Sequence, residues 1–233
     1  LYGRPSLAAL LRELVKVKGV QWWRVMYAYP ERVTEELLEA MAANKSVCHY
    51  LDMPLQHASD GVLRRMRRAS TNRSMRDKIA EIRRYMPDAA LRTNFITGFP
   101  GETRSEFEEL EAFVKDMAFD NVAVFRYSRE PGTAAAAMAG QVPEQVKAER
   151  AEALIAAQSG AVDAANAAMK GKRFRILMDS PVFGRTYRDA PDIDGRVEVG
   201  PAPGRKPPKA GDMVTARITG AEGYLRRARI VAK

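Results

Sequence analysis

The chain has 233 residues, 46% of them hydrophobic, with a single cysteine and a net charge of +9 at pH 7. That length suits one large domain or a medium domain with a small one, and one cysteine excludes an internal disulfide framework. No apolar run reaches the roughly 18 residues that a membrane helix needs, and no basic-then-apolar leader opens the chain, so a cytoplasmic protein with no membrane contact is expected. The charge is uneven. Residues 171–233 hold 14 Lys or Arg against 7 Asp or Glu, so most of the surplus sits in the tail. That favours a polyanionic or ribosomal partner there.

In chain order, Ser6 is expected to cap a helix through Leu7, Leu10, Leu11, Leu14 and Val15, ended by Gly19. Trp22–Tyr29 reads as a strand closed by Pro30. Thr34 caps a helix burying Leu37, Leu38 and Met41. Val47–Gln56 is a second strand, His57 and Ala58 turn, and Ser59 opens a helix through Val62, Leu63 and Met66. Another helix covers Met75–Tyr85. Leu91–Thr97 is the third strand, with Leu91, Thr93, Phe95 and Thr97 on one face. The Gly98-Phe99-Pro100-Gly101 turn follows, and Thr103 with Glu106 forms a capping box for the helix Arg104–Met117. Asn121–Tyr127 is the fourth strand.

Helices and strands that alternate in this way predict an α/β fold: a parallel βα array, with helices outside, that lacks the first strands of a barrel. Small residues link Pro131 to Gly140, and Pro143 starts a helix running to about Lys170, weakened at Gly160. Phe174–Met178, Gly184–Tyr187, Gly195–Val199, Met213–Ile218 and Leu225–Val231 read as five short strands of an antiparallel, OB-like barrel. The expected domains are 1–136, a linker helix 137–170, and 171–233.

Several residues carry possible chemistry. Gln56 and His57 end a strand, where a barrel places its site; the imidazole is either an acid–base group or a turn cap. Glu102, at a helix start, either answers the helix dipole or accepts from a ligand. Arg92 would bind a carboxylate or phosphate if it faces the lumen, and Tyr127 could pack on a ring. Nine basic residues between Arg64 and Arg84 form either a solvated face or a polyanion contact. Cys48 and His49 read as structural strand residues, and no metal-ligand spacing occurs.

Tyr50-Leu51-Asp52-Met53-Pro54-Leu55-Gln56-His57-Ala58-Ser59, Leu91-Arg92-Thr93 with Gly98–Thr103, and Phe125-Arg126-Tyr127-Ser128 resemble segments of the radical S-adenosylmethionine methylthiotransferases. Gly184-Arg185-Thr186 and Asp189-Ala190-Pro191-Asp192-Ile193-Asp194-Gly195 resemble the TRAM domain of that family. Pro54-Leu55-Gln56-His57-Ala58-Ser59 and the Asp189–Gly195 run are similar to the RimO-type branch, which modifies an aspartate of a small-subunit ribosomal protein. The alternatives are the tRNA-modifying MiaB type, a non-catalytic RNA- or ribosome-binding module, and, more distantly, an unrelated phosphate-binding barrel enzyme.

The resemblance implies S-adenosylmethionine bound near Gln56, Arg92, Thr97, Gly98, Phe99, Glu102 and Tyr127, with adenine close to Gly98. It implies an electron donor, a monomer, and substrate or RNA contacts through Arg185, Arg188, Arg226 and Arg227. It also implies two four-iron–four-sulfur clusters in the complete enzyme, each held by three cysteines. One cysteine cannot supply either set. The chain is read as the back part of the enzyme, starting at Leu1 rather than Met, and inactive by itself.

Overall fold

The computed structural model describes residues 3, 6–201 and 206–231. Helical spacing of leucines forms α1 (Leu7–Leu14), shorter than expected. Ser6 is not in an extended conformation and makes no side-chain cap. Beyond Leu14, Lys16 and Val17 donate to Glu13 and Leu14, so the chain tightens into turns well before Gly19. β1 covers only Trp23–Val25, because Tyr27 has a φ of 55° and ends the extended run. α2 (Glu35–Ala42) is capped by Thr34, whose hydroxyl accepts from Leu37 N at 3.2 Å.

β2 spans Val47–Asp52 rather than reaching Gln56. Pairing resumes at Gln56, which bridges to Phe95. Pro54 interrupts it, lacking an N–H to donate. α3 (Asp60–Arg65) is one and a half turns, and Ser59 gives it no side-chain cap. α4 (Asn72–Tyr85) starts before Met75, at a capping box between Thr71 and Ser74. β3 (Ala90–Thr97), α5 (Arg104–Met117) and β4 (Asn121–Arg126) fall where periodicity places them. The sheet order is β1-β2-β3-β4, all parallel.

Leu91, Thr93, Phe95 and Thr97 are all buried. Phe95 meets Phe113 of α5 edge-on at 6.3 Å and Phe119 at 6.0 Å, so this face of β3 looks towards the helices. Arg92, Asn94 and Ile96 therefore occupy the opposite face.

α6 (Glu144–Met169) runs unbroken through Gly160, where a Cβ would meet nothing within 4 Å. The chain splits into two units, Leu1–Gln158 and Ser159–Lys233, so the division lies inside α6. In the second unit β5 (Arg173–Met178), β6 (Phe183–Arg185), β7 (Arg196–Gly200), β8 (Met213–Glu222) and β9 (Leu225–Ile230) close a barrel in the order β5-β6-β7-β9-β8. Every seam is antiparallel except β7–β9, which is parallel. Its core holds Ile176, Met178, Val197, Val199, Ala216, Ile218 and Ala228.

Candidate cofactor site

The turn after β3 is held from behind. Gly98 has a φ of 73°, a region glycine enters without steric cost. A Cβ there would lie 2.2 Å from Lys147 Cγ, so the missing side chain makes room for the lysine stem. Thr97, fully buried, donates its hydroxyl to Lys147 O at 3.2 Å. The Lys147 ammonium donates to Tyr127 O at 2.9 Å and to Glu144. That lysine holds the exposed Glu144 carboxyl below the usual carboxylate range.

Glu102 ties this frame together. Its side chain is fully buried and accepts from Gly98 N at 2.8 Å and from Arg150 Nη1 at 2.6 Å. His57, also fully buried, accepts at Nδ1 from Ser59 N at 3.0 Å. The proton of the neutral ring is therefore on Nε2, which lies 3.4 Å from Glu102 Oε2. His57 is a turn cap, and Glu102 spends both oxygens inside the protein.

Thr103 and Glu106 form the expected capping box. Burial works against the Glu106 carboxylate. Its bonds from Arg65 and Thr103 outweigh that and hold it below the ordinary carboxylate range.

In front of the frame lies a cavity of about 480 Å³, lined by Gln56, Arg65–Arg68, Ile96, Phe99, Ala134, Ala135 and Met138. It sits at the C-terminal ends of β2 and β3, the rim on which parallel barrels place ligands, and its size suits a small ligand. Phe99 stacks edge-on with Tyr127 at 5.3 Å, and the buried Tyr127 hydroxyl has no hydrogen-bond partner among the described residues. Gln56 sits at a φ of 71° and accepts from Asn94 Nδ2 at 3.2 Å.

Arg92 does not line this cavity. It donates to the fully buried Asp52 at 3.0 Å, and it stands in register between Asp52 and Asn121. Among the described residues, Asp52 Oδ2 and both polar side-chain atoms of Asn121 are buried without a partner. The three share the face opposite Phe95, and in this row Asp52 and Asn121 keep hydrogen-bonding capacity in reserve.

Of the expected residues, the fold thus brings Gln56 and Phe99 to the cavity with Tyr127 beside them. It places Thr97, Gly98 and Glu102 behind, and Arg92 about 13 Å down the strand from Ile96. Arg65, Arg67 and Arg68 at the cavity belong to the basic region noted in the sequence, whereas Met66, Ala134, Ala135 and Met138 carry no local signal of a site. Only the fold assembles them. Much of the basic α3–α4 region is answered internally: Arg65 pairs with Glu106, Arg73 with Asp77, Arg76 with Asp116 and Lys78 with Glu81. Cys48 is buried in β2. His49 pairs with Asp88 at 2.6 Å.

The barrel arginines divide. Arg226 is buried, bonded to Asp189 and, at 3.2 Å, to Asn166, so it cannot touch a substrate as expected. Arg185 pairs with Asp179 at 3.2 Å beside a groove of about 790 Å³. Arg188 donates to the Tyr187 hydroxyl. Arg227 lies between Glu198 and Glu222.

These features agree with the chain's relatives. Residues 2–114 match the Radical SAM superfamily, and residues 171–231 match the TRAM domain. The structure aligns with that of coproporphyrinogen III oxidase from Escherichia coli, a radical SAM enzyme. The TM-score is 0.53 at 16% identity, covering 91% of this chain and 50% of that one, a likeness of fold. The chain is thus a radical SAM βα segment followed by a TRAM barrel.

Ribosomal protein uS12 methylthiotransferase RimO of Elusimicrobium minutum is 51% identical over 99% of this chain and 53% of its own length. The protein of the same description from Moorella thermoacetica is 44% identical over 94% of this chain and 50% of its own. The chain belongs to the RimO-type radical SAM methylthiotransferases. It spans about half the length of the curated relatives it matches.

Proposed function

We propose that this chain forms the cofactor rim and the TRAM barrel of an enzyme that methylthiolates an aspartate of ribosomal protein uS12, using S-adenosylmethionine. The carrying observation is the match to uS12 methylthiotransferases over 99% of the chain. The rim cavity supports it. Phe99 and Tyr127 offer an aromatic wall for a purine, and Gln56 offers an amide to its polar edge. The Asp52–Arg92–Asn121 row offers an acceptor, a guanidinium and a carboxamide to the amino-acid end. Thr97, Gly98 and Glu102 hold the turn in place. When bound, S-adenosylmethionine supplies the radical and the methyl group.

The family's two iron–sulfur clusters do not fit this chain's own residues. It has one cysteine, and among the described residues no group of three His, Cys, Asp or Glu could hold a metal. The thiolates and the contact with the electron donor belong to protein outside these 233 residues, and the chain alone transfers nothing. Among the described residues no helix is long and apolar enough to cross a membrane. We place the monomeric enzyme in the cytoplasm, beside its ribosomal substrate, with the basic barrel contacting RNA.

The test is to supply the whole polypeptide containing this chain with iron, sulfide, reductant, S-adenosylmethionine and uS12. The expected result is a methylthio group on one uS12 aspartate, read by mass spectrometry. Modification of tRNA adenosine instead, the MiaB-type outcome, would overturn the substrate assignment.

A further inference from the structure

The outward face of the barrel carries a row of arginines that no side chain answers among the described residues. Phe174, Ile176, Val214, Ala216, Ile218, Ala228 and Ile230 belong to the barrel core or pack on it. The alternate positions on β5, β8 and β9 therefore face out. Arg173 on β5 stands directly opposite Arg217 on β8, and Arg217 stands directly opposite Arg229 on β9. The row crosses two inter-strand gaps, about 10 Å in all. All three residues are exposed.

Like charges directly opposite one another on adjacent strands are destabilising, yet among the described residues no carboxylate is ion-paired with these. Glu198 and Glu222 sit at Arg227, Asp179 at Arg185, and Asp189 is buried against Arg226. Among the described residues, none of the Arg173, Arg217 and Arg229 side chains has an ion pair or hydrogen bond.

The composition of the row indicates its partner. Guanidinium groups present a fork that matches phosphate oxygens bidentately. Phe174 is the one aromatic residue in β5, β8 and β9, and it packs against the core. The face therefore offers no platform for stacking unpaired bases. A cationic ridge without stacking groups suits the sugar–phosphate backbone of structured RNA.

We propose that Arg173, Arg217 and Arg229 form a ridge that docks the barrel on RNA backbone phosphates. This rests on the reading of the barrel as the enzyme's RNA-facing part. It transfers the contact from the residues expected from sequence to three others.

The test is fluorescence anisotropy of the 233-residue chain with a labelled RNA stem–loop, measured across salt concentrations. Replacing all three by Gln is expected to make the slope of log affinity against log salt shallower by about 2 to 3. Affinity should fall about tenfold or more at low salt. The Gln variant should melt no lower than the parent, because a repulsion is removed. The Lys triple variant should keep most of the slope, and Arg217→Gln alone should remove about 1 of it, so the test survives if the Gln triple fails to fold. A parental slope in the Gln triple would overturn the proposal. So would capture of polyglutamate through the row without competition by RNA, which would assign the ridge to an acidic protein. Either failure would leave uS12 modification by the whole enzyme intact, whereas loss of that modification would strike the functional reading itself.

Discussion

Each unit of the molecule contains a buried carboxylate knotted to an arginine, and the two knots serve different ends. Glu102 joins Arg150 to the backbone of Gly98, behind the rim cavity. Asp189 joins Arg226 to the Thr186 backbone and hydroxyl, and Arg226 and Asn166 extend the knot to Gly223 at the β8–β9 turn. The first sets the shape of the turn behind the rim cavity. The second locks a small barrel, on whose outer face the proposed ridge lies. In both cases the arginine is used for architecture, and Arg226 is one that charge alone would offer for binding.

The largest test of that contrast is Arg226→Met. It leaves the Asp189 carboxylate buried without its arginine, and should cost about 3–5 kcal/mol in urea unfolding. Adding Asp189→Asn should restore part of the loss. Unchanged stability with lost RNA affinity would instead return Arg226 to the substrate face. Glu102→Gln keeps an acceptor for Gly98 N but loses the charged bond to Arg150. It should cost about 2–3 kcal/mol and weaken S-adenosylmethionine binding through the displaced turn.

Gly98→Ala should cost about 2 kcal/mol from the left-handed backbone alone, and more where Lys147 cannot move aside. Equal stability in that variant would show that Lys147 does not hold the turn. The smallest effect concerns pH. Glu106 is depressed in the folded state, so its stabilisation is present above the ordinary carboxylate pKa and is lost as pH falls through the lower folded value. Glu106→Gln should flatten that acid limb in a series of thermal melts. An unaltered limb would mean that its bonds to Arg65 and Thr103 contribute no linkage.

The β3–turn–α5 unit was legible because three independent local signals coincide: period two from Leu91 to Thr97, glycine at the turn, and Thr103 three residues before Glu106. The knot in the barrel was legible in part. Arg226 shares strand parity with Ala228 and Ile230, which places it inward, while Arg227 and Arg229 point out. Reading those residues by charge alone hid the difference. Other features had no local trace. Lys147 lies far along the chain from Gly98, and nothing around it foretells a stem packed on that glycine. The early end of β1 depends on a left-handed Tyr27, a conformation that an aromatic residue rarely signals. The Arg173–Arg217–Arg229 row exists only through strand register, which no single stretch of sequence records.

The most direct measurement is isothermal calorimetry of S-adenosylmethionine with the 233-residue chain and its Phe99→Leu variant, both checked by thermal melting. The account predicts saturable binding by the parent and binding several-fold weaker in the variant, from loss of the aromatic contact. Absence of binding by the folded parent, or equal affinity in the two proteins, would contradict a cofactor site at the ends of β2 and β3.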